Sequence, residues 1–187
     1  MHCLYFLTLS LLFSNPTQAQ PSANDSTSRE AGYSTELDKR HGFLGIPFDT
    51  PLTSFKELHL VRTQEQEQVY RKKAERKAVG EATIKYVDYY FYKGKLSAVQ
   101  VHAVNDLKNK AAWMELLKTA YQVAPSTVLN NSEDSPGGSY FWHGKHTHIN
   151  YSAYSGKDLS IYVSCADITA EKACDRVTRV KRAAEKL

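Results

Sequence analysis

The stretch Tyr-Phe-Tyr-Lys-Gly-Lys at residues 90–95 returns as Tyr-Phe-Trp-His-Gly-Lys at 140–145, identical at four of six positions. Each copy places aromatic residues, which suit a pleated and half-buried surface, just before a glycine able to take the positive φ of a tight hairpin turn. A β-prone segment follows each glycine. Two strand–turn–strand units of this kind commit the chain to a fold built on antiparallel sheet.

The first unit covers residues 82–104. Val87, Tyr89 and Phe91 share one parity, and Ile84, Tyr86, Tyr90 and Tyr92 the other. A three-residue turn with Gly94 left-handed predicts that Phe91 pairs with Lys95. That register sets Phe91, Tyr89 and Val87 on the face of Val99 and Val101, and Leu96 with Tyr90 and Tyr92. The second unit runs from Ser139 to Trp142, turns at His143-Gly144, and returns over 146–154. A further turn at 155–158 leads to a strand over 159–164. Thr147, Ile149, Tyr151 and Ala153 share a face there, as do Leu159, Ile161 and Val163.

Helices fill the remainder. Asp49 or Thr50 followed by Pro51 reads as a helix start, with Leu52, Phe55 and Leu58 on one face of a helix over 50–59. Residues 105–121 carry Trp113, Leu116, Leu117 and Ala120 at i, i+3, i+4 and i+7, with Asn105 or Asn109 as cap. A last helix capped by Asp167 runs to the C-terminus along a thin line of Ile168, Ala173, Cys174, Val177, Val180 and Ala184. Residues 71–78 read as a charged edge strand, and 126–139 as a loop. The fold class is α+β, a mainly antiparallel sheet with helices on one face, readable as two tandem α-β-β-β units. Convergent turn chemistry accounts equally well for the repeated hexapeptide.

Residues 1–19 hold no Lys, Arg, Asp or Glu, and Cys3 to Phe13 form a mostly apolar stretch before Thr17-Gln18-Ala19. This is the layout of a secretory signal peptide cleaved after Ala19. Its apolar stretch would rise about 16 Å as a helix, short of the roughly 30 Å of a bilayer core. The expected product is exported, periplasmic or secreted, with no transmembrane segment after signal removal. Residues 20–41 are poor in large apolar groups and read as a disordered spacer, leaving 42–187 as a single domain. Export permits a disulfide between the two remaining cysteines, Cys165 and Cys174. The rival readings are two free thiols or an incomplete metal pair.

The formal charge of +4 is concentrated at Arg71, Lys72, Lys73, Arg76 and Lys77 and in the last helix. Such clusters are more often solvated faces than nucleic-acid sites, and no nucleic-acid partner is expected. Phosphate loops, G-x-S-x-G, H-E-x-x-H, Rossmann glycines and EF-hand spacing are all missing. Two chemistries stay open. Tyr86, Tyr90, Tyr92 and Trp142 form an aromatic sheet face suited to an envelope or extracellular protein or a glycan. His146 and His148, two apart in a strand and therefore on one face, sit beside His143 and match the imidazole ligation of zinc or copper. The bland reading of those histidines is a wet strand face, with no cofactor.

Gly45-Ile46-Pro47-Phe48-Asp49-Thr50-Pro51, Phe91-Tyr92-Lys93-Gly94-Lys95-Leu96 and Tyr140-Phe141-Trp142-His143-Gly144-Lys145 resemble the motifs of a family of small exported bacterial proteins of unknown function. The resemblance spans residues 42–164. It implies the fold and the export, and supplies no catalytic residues. The chain departs from the pattern at Asp49 and at Gln122, where the family has glycine. The expected function is that of a non-enzymatic, envelope-associated binding module using an aromatic sheet face. The alternative is a metal-binding protein or hydrolase-type enzyme centred on His146 and His148.

Overall fold

The structure is a computed structural model and describes residues 30–72, 77–133 and 136–185. The expected signal peptide at 1–19 lies outside the described residues, as does 20–29 of the expected spacer. The remainder of that spacer is folded. Helix α1 (Thr35–Arg40) buries Leu37 to 1% exposure, and the Ser34 hydroxyl donates to the Tyr121 carbonyl at 2.7 Å. One buried leucine and a few polar contacts anchor the segment, too little apolar surface to show against its polar composition.

Strands β1 (Gly42–Phe43) and β2 (Ile46–Pro47) form a short hairpin. The helix expected over 50–59 shrinks to a single 3-10 turn at Leu52–Ser54. Its backbone is claimed elsewhere. Asp49 N–H donates to the Leu96 carbonyl, Leu96 N–H to that of Thr50, and Leu52 N–H to that of Gly94. The Thr50 hydroxyl donates to the Pro47 carbonyl and caps nothing.

Next come β3 (Leu58–Gln64), β4 (Glu67–Lys72), the small pair β5 (Ala78–Val79) and β6 (Ala82–Thr83), then β7 (Tyr86–Tyr92) and β8 (Lys95–Ala103). Helix α2 (Leu107–Tyr121) precedes β9 (Ser126–Asn130), β10 (Gly137–His143), β11 (Thr147–Tyr154) and β12 (Leu159–Cys165). Helix α3 (Ala166–Ala184) closes the described chain. Eight strands form one antiparallel sheet in the order β3-β4-β7-β8-β12-β11-β10-β9. Each half is a four-strand meander followed by a helix, so the units are β-β-β-β-α. They join at β8–β12, where Val99, Val101 and Ala103 oppose Val163, Ile161 and Leu159. Arg71 and Lys72 belong to the interior strand β4. The edges are β3 and β9, the latter inside the expected loop.

The repeated hexapeptide ends the third strand of one meander and the second strand of the other. The copies are therefore not equivalent in the fold. Lys93 (φ 49°) and Gly94 (φ 76°) are both left-handed, the two-residue turn whose twist matches the flanking strands. Tyr92 pairs with Lys95, and the expected register is corrected by a bulge at Ser97. Leu96 thereby faces the core with Phe91, both at 0% exposure. Gly144 has no such backbone need. A Cβ there would meet the Asp38 carboxylate at 2.5 Å, and that carboxylate accepts the Lys145 and His146 N–H groups, each at 2.7 Å. One glycine serves φ and the other serves close approach.

The core lies between one sheet face and α2, where Trp113, Leu117 and Tyr121 pack over the odd residues of β7, β8, β11 and β12. Asp106 caps α2 by accepting the Asn109 N–H at 2.7 Å. Asn105 and Asn109, the expected caps, bond elsewhere: Asn105 to the Tyr154 and Lys157 carbonyls, Asn109 to the Val104 carbonyl. The Asp167 side chain, expected to cap α3, instead meets His146. Among the described residues of α3 only Ile168 is buried, and charged pairs hold the helix across the turn end of the sheet.

Cys165 and Cys174 are free thiols, the first buried and the second exposed. The expected disulfide is thus corrected. Nine helical steps separate the two residues, a rise of about 13 Å where a disulfide needs Cα atoms about 5.5 Å apart. Burial pushes the Cys165 thiol pKa up, away from the reactive thiolate.

Candidate functional site: the open face of the sheet

The two faces of the sheet differ in kind. On the covered face, residues from Val87 to Val163 meet α2. On the other, strand register lines up polar and aromatic side chains in rows running across the strands. One row is Arg71, Asp88, Gln100, Tyr162, Asn150 and Phe141. The next is Tyr86, His102, Ser160, Ser152 and Ser139. Among the described residues no helix crosses these rows, and most of their side chains are half-buried rather than enclosed.

The rows are pre-organised. Arg71 grips Asp88 in a two-pronged pair at 2.7 and 2.9 Å and lies 3.8 Å from the centre of the Tyr86 ring. Tyr86 stacks on His102 at 4.3 Å and 21°. The sandwich guanidinium–phenol–imidazole fixes three side chains that would otherwise be mobile. Asp88 hydrogen bonding, ahead of the opposing effect of burial, raises the Arg71 pKa, so the guanidinium keeps its charge. Burial lowers the His102 pKa below its ordinary value, which keeps the ring neutral at pH 7. Its Nε2 is buried, makes no hydrogen bond, and stands 3.6 Å from Asp88 Oδ2.

Beside this sandwich, Tyr90 O–H donates to Gln100 Oε1 at 2.5 Å, and Gln100 Nε2 donates to Ser160 Oγ at 2.8 Å. Tyr162 meets Tyr90 edge-on at 5.5 Å, with Arg62 5.7 Å from the Tyr90 ring centre. Burial raises the pKa of Tyr90 and of Tyr162, so both remain phenols. Further along, Ser152 donates to Asn150 at 2.9 Å, and Ser139 contacts both Ser152 and Tyr154 at 3.1 Å. A hollow of about 190 Å³ opens beside Tyr162, between Phe141, His148 and Asn150. The arrangement offers amide and hydroxyl groups in a line, rimmed by aromatic rings. The carboxylate nearest the imidazole, that of Asp88, is already held by Arg71.

The residues singled out from sequence divide. Tyr86 and Tyr90 belong to this face, Tyr86 half-buried and Tyr90 buried against Val69 and Ala98. Trp142 does not: its parity turns it to the covered side, where it is 0% exposed and its Nε1 donates to the Val123 carbonyl at 3.1 Å. Tyr92 is 3% exposed at the turn end, with its hydroxyl on Asp175 Oδ2 at 2.7 Å. The three histidines are not gathered. His146 lies in the turn before β11, its Nδ1 2.8 Å from Asp167 Oδ2. His143 and His148 pair across β10 and β11 on the open face, with His143 3.6 Å from Glu30. The expectation that His146 and His148 share a strand face is corrected, because β11 starts at Thr147. Among the described residues no group of three or more His, Cys, Asp and Glu side chains has metal-holding geometry.

Gln100, His102, Asn150 and Tyr162 were missed as a site. Their signal is present in the polar parity of β8, β11 and β12, and only the strand order brings those parities together. Comparison with family models, with curated proteins and with solved structures returns no match. The open face is therefore read from its own chemistry.

Proposed function

We propose that the protein is a non-enzymatic, exported binding module that holds a glycan of the cell envelope across the open sheet face. The observation that carries this reading is the row Arg71–Asp88–Gln100–Tyr162–Asn150–Phe141, polar at its centre and aromatic along it, with no helix over it among the described residues. Protein interfaces concentrate energy in apolar anchors at a dry centre. Here the centre is Gln100, Asn150, Ser152 and Ser160, which suit a ligand rich in hydroxyl groups, while tyrosine rings offer flat apolar surface with a polar tip. A reading centred on His146 and His148 gains no support from their separation.

The test is binding to isolated envelope glycans, measured for the wild-type chain and for a Tyr162→Ser/Asn150→Ala double variant. Both positions are half-buried, so the variant is expected to keep its fold, checked by its circular dichroism. A loss of affinity of about tenfold or more is expected, one ring and one amide together contributing at least 1.4 kcal/mol. Equal binding by the folded variant would remove the open face from the account.

A further inference from the structure

The covered side of the molecule carries a second feature that the open face does not use. A cleft of about 540 Å³ opens between α2 and the β1–β2 hairpin, within the volume range of small-molecule sites. Its walls are apolar: Phe43, Leu44 and Ile46 from the hairpin, Trp113, Leu116 and Tyr121 from α2. Phe43, Trp113 and Tyr121 are buried and packed into the main core, so these walls are held in place and do not fold inward. Trp113 Nε1 is engaged by the Thr83 carbonyl at 3.1 Å and does not offer its N–H to the cleft.

Among the described residues, the one charged side chain in the lining is Arg40, at the C-terminal end of α1. It is exposed, lies 5.5 Å from the Tyr121 ring centre, and uses one nitrogen on the Ala120 carbonyl at 3.2 Å. No carboxylate pairs with it among the described residues. A guanidinium has five donors in a fork matched to a carboxylate, so most of its capacity points to an anion. An apolar slot with a lone cation in its lining selects a ligand that is apolar along its length and anionic at one end.

We propose that this cleft binds a medium-chain alkyl carboxylate, its chain between the hairpin and α2 and its carboxylate on Arg40. The claim is independent of the open face. Isothermal titration of the full-length protein with decanoate, with decanol and with a capped apolar tripeptide bearing a free C-terminus tests it. Decanoate is expected to bind saturably at one site, and decanol about tenfold or more weakly, the difference being one charge-assisted pair. Arg40→Gln, an exposed substitution, should remove that preference and leave decanol unchanged. Ala120→Phe, which fills the cleft from α2, should abolish binding of both, with thermal unfolding confirming the fold of each variant. Equal affinity for decanoate and decanol, an unaltered preference in Arg40→Gln, tighter binding of the tripeptide, or no binding of any ligand would each overturn it.

Discussion

Gln122 and Asp49 sit at φ 58° and 63°, in the left-handed region that costs an L-residue with a Cβ roughly 1–2 kcal/mol. Gln122 ends α2, its N–H donating to the Lys118 carbonyl at 2.8 Å. Asp49 has a partial return in Lys95 at 3.7 Å and His41 at 4.0 Å, and Gln122 has none of that kind. Gln122→Gly is therefore expected to raise the stability by about 0.5–1 kcal/mol, a gain of about 1–4 °C in Tm for a chain of this size. A fall in Tm would show that the Gln122 side chain holds something else.

His102 gives a second test at the same scale. Its folded pKa is lowered by burial, so as pH falls the unfolded chain takes up this proton first. The stability tied to the neutral ring is complete above its unfolded pKa of about 6.5. It is lost as pH drops from there through the folded value, by at most about 1.4 kcal/mol per pH unit. Urea unfolding at pH 7.5 and 5.5 should show a smaller difference in His102→Gln than in the wild type. Identical differences would mean that His102 titrates alike folded and unfolded.

Among the elements, α3 is held in an uncommon way. The face it turns to the sheet reads Ile168, Glu171, Lys172, Asp175 and Arg179. Lys93 reaches Glu171 at 2.7 Å and Asp175 at 2.5 Å. Lys172 pairs with Glu67, and Arg179 with Glu65. Val177 and Val180 point to solvent at 53% and 62% exposure. Hydrogen bonding to Lys93, then to Tyr92, holds the Asp175 carboxyl below its ordinary range. Isolated exposed pairs add little, so this helix depends on the pairs acting as a network. At 1 M salt the screening length falls to about 3 Å. Backbone hydrogen exchange over 171–184 is expected to quicken by several-fold between 0.05 and 1 M NaCl, while 107–121, anchored by Trp113 and Leu117, stays unchanged. Equal behaviour of the two helices would contradict the ionic anchorage.

Across the whole molecule, two four-strand meanders meet at β8–β12 to make one sheet with one face packed under α2 and a more open face, on which Val69, Tyr90 and Ala98 form a second, smaller buried cluster. Much of this was legible in the sequence. Strict alternation in Leu159, Ile161 and Val163, and in Thr147, Ile149, Tyr151 and Ala153, set the core sides of two strands correctly, and the period of Trp113 and Leu117 marked α2. Three things were not legible, each for a physical reason. The bulge at Ser97 flips parity mid-strand, which a strict period of two excludes. The edge strand β9 gains its hydrogen bonds from β10 and has no burial pattern of its own. Segment 34–41 is fixed by Leu37 and by hydrogen bonds between its own side chains and backbone groups eighty and more residues away. The open face was half legible: Tyr86 and Tyr90 were placed by parity, whereas Trp142 was misread because the same hexapeptide sits in different strands of the two meanders. Arg40 lay in a stretch whose composition argues for disorder, so its cleft left no trace in the sequence.

The reading rests on the open face being where ligand sits. Covalent footprinting of the full-length protein on isolated envelope glycan, against the free protein, examines this directly. Protection is predicted at Tyr86, Phe141 and Tyr162, with exposed Leu107 and Val128 labelled equally in both states. Unprotected Tyr162 and Phe141 on glycan-loaded protein would contradict it.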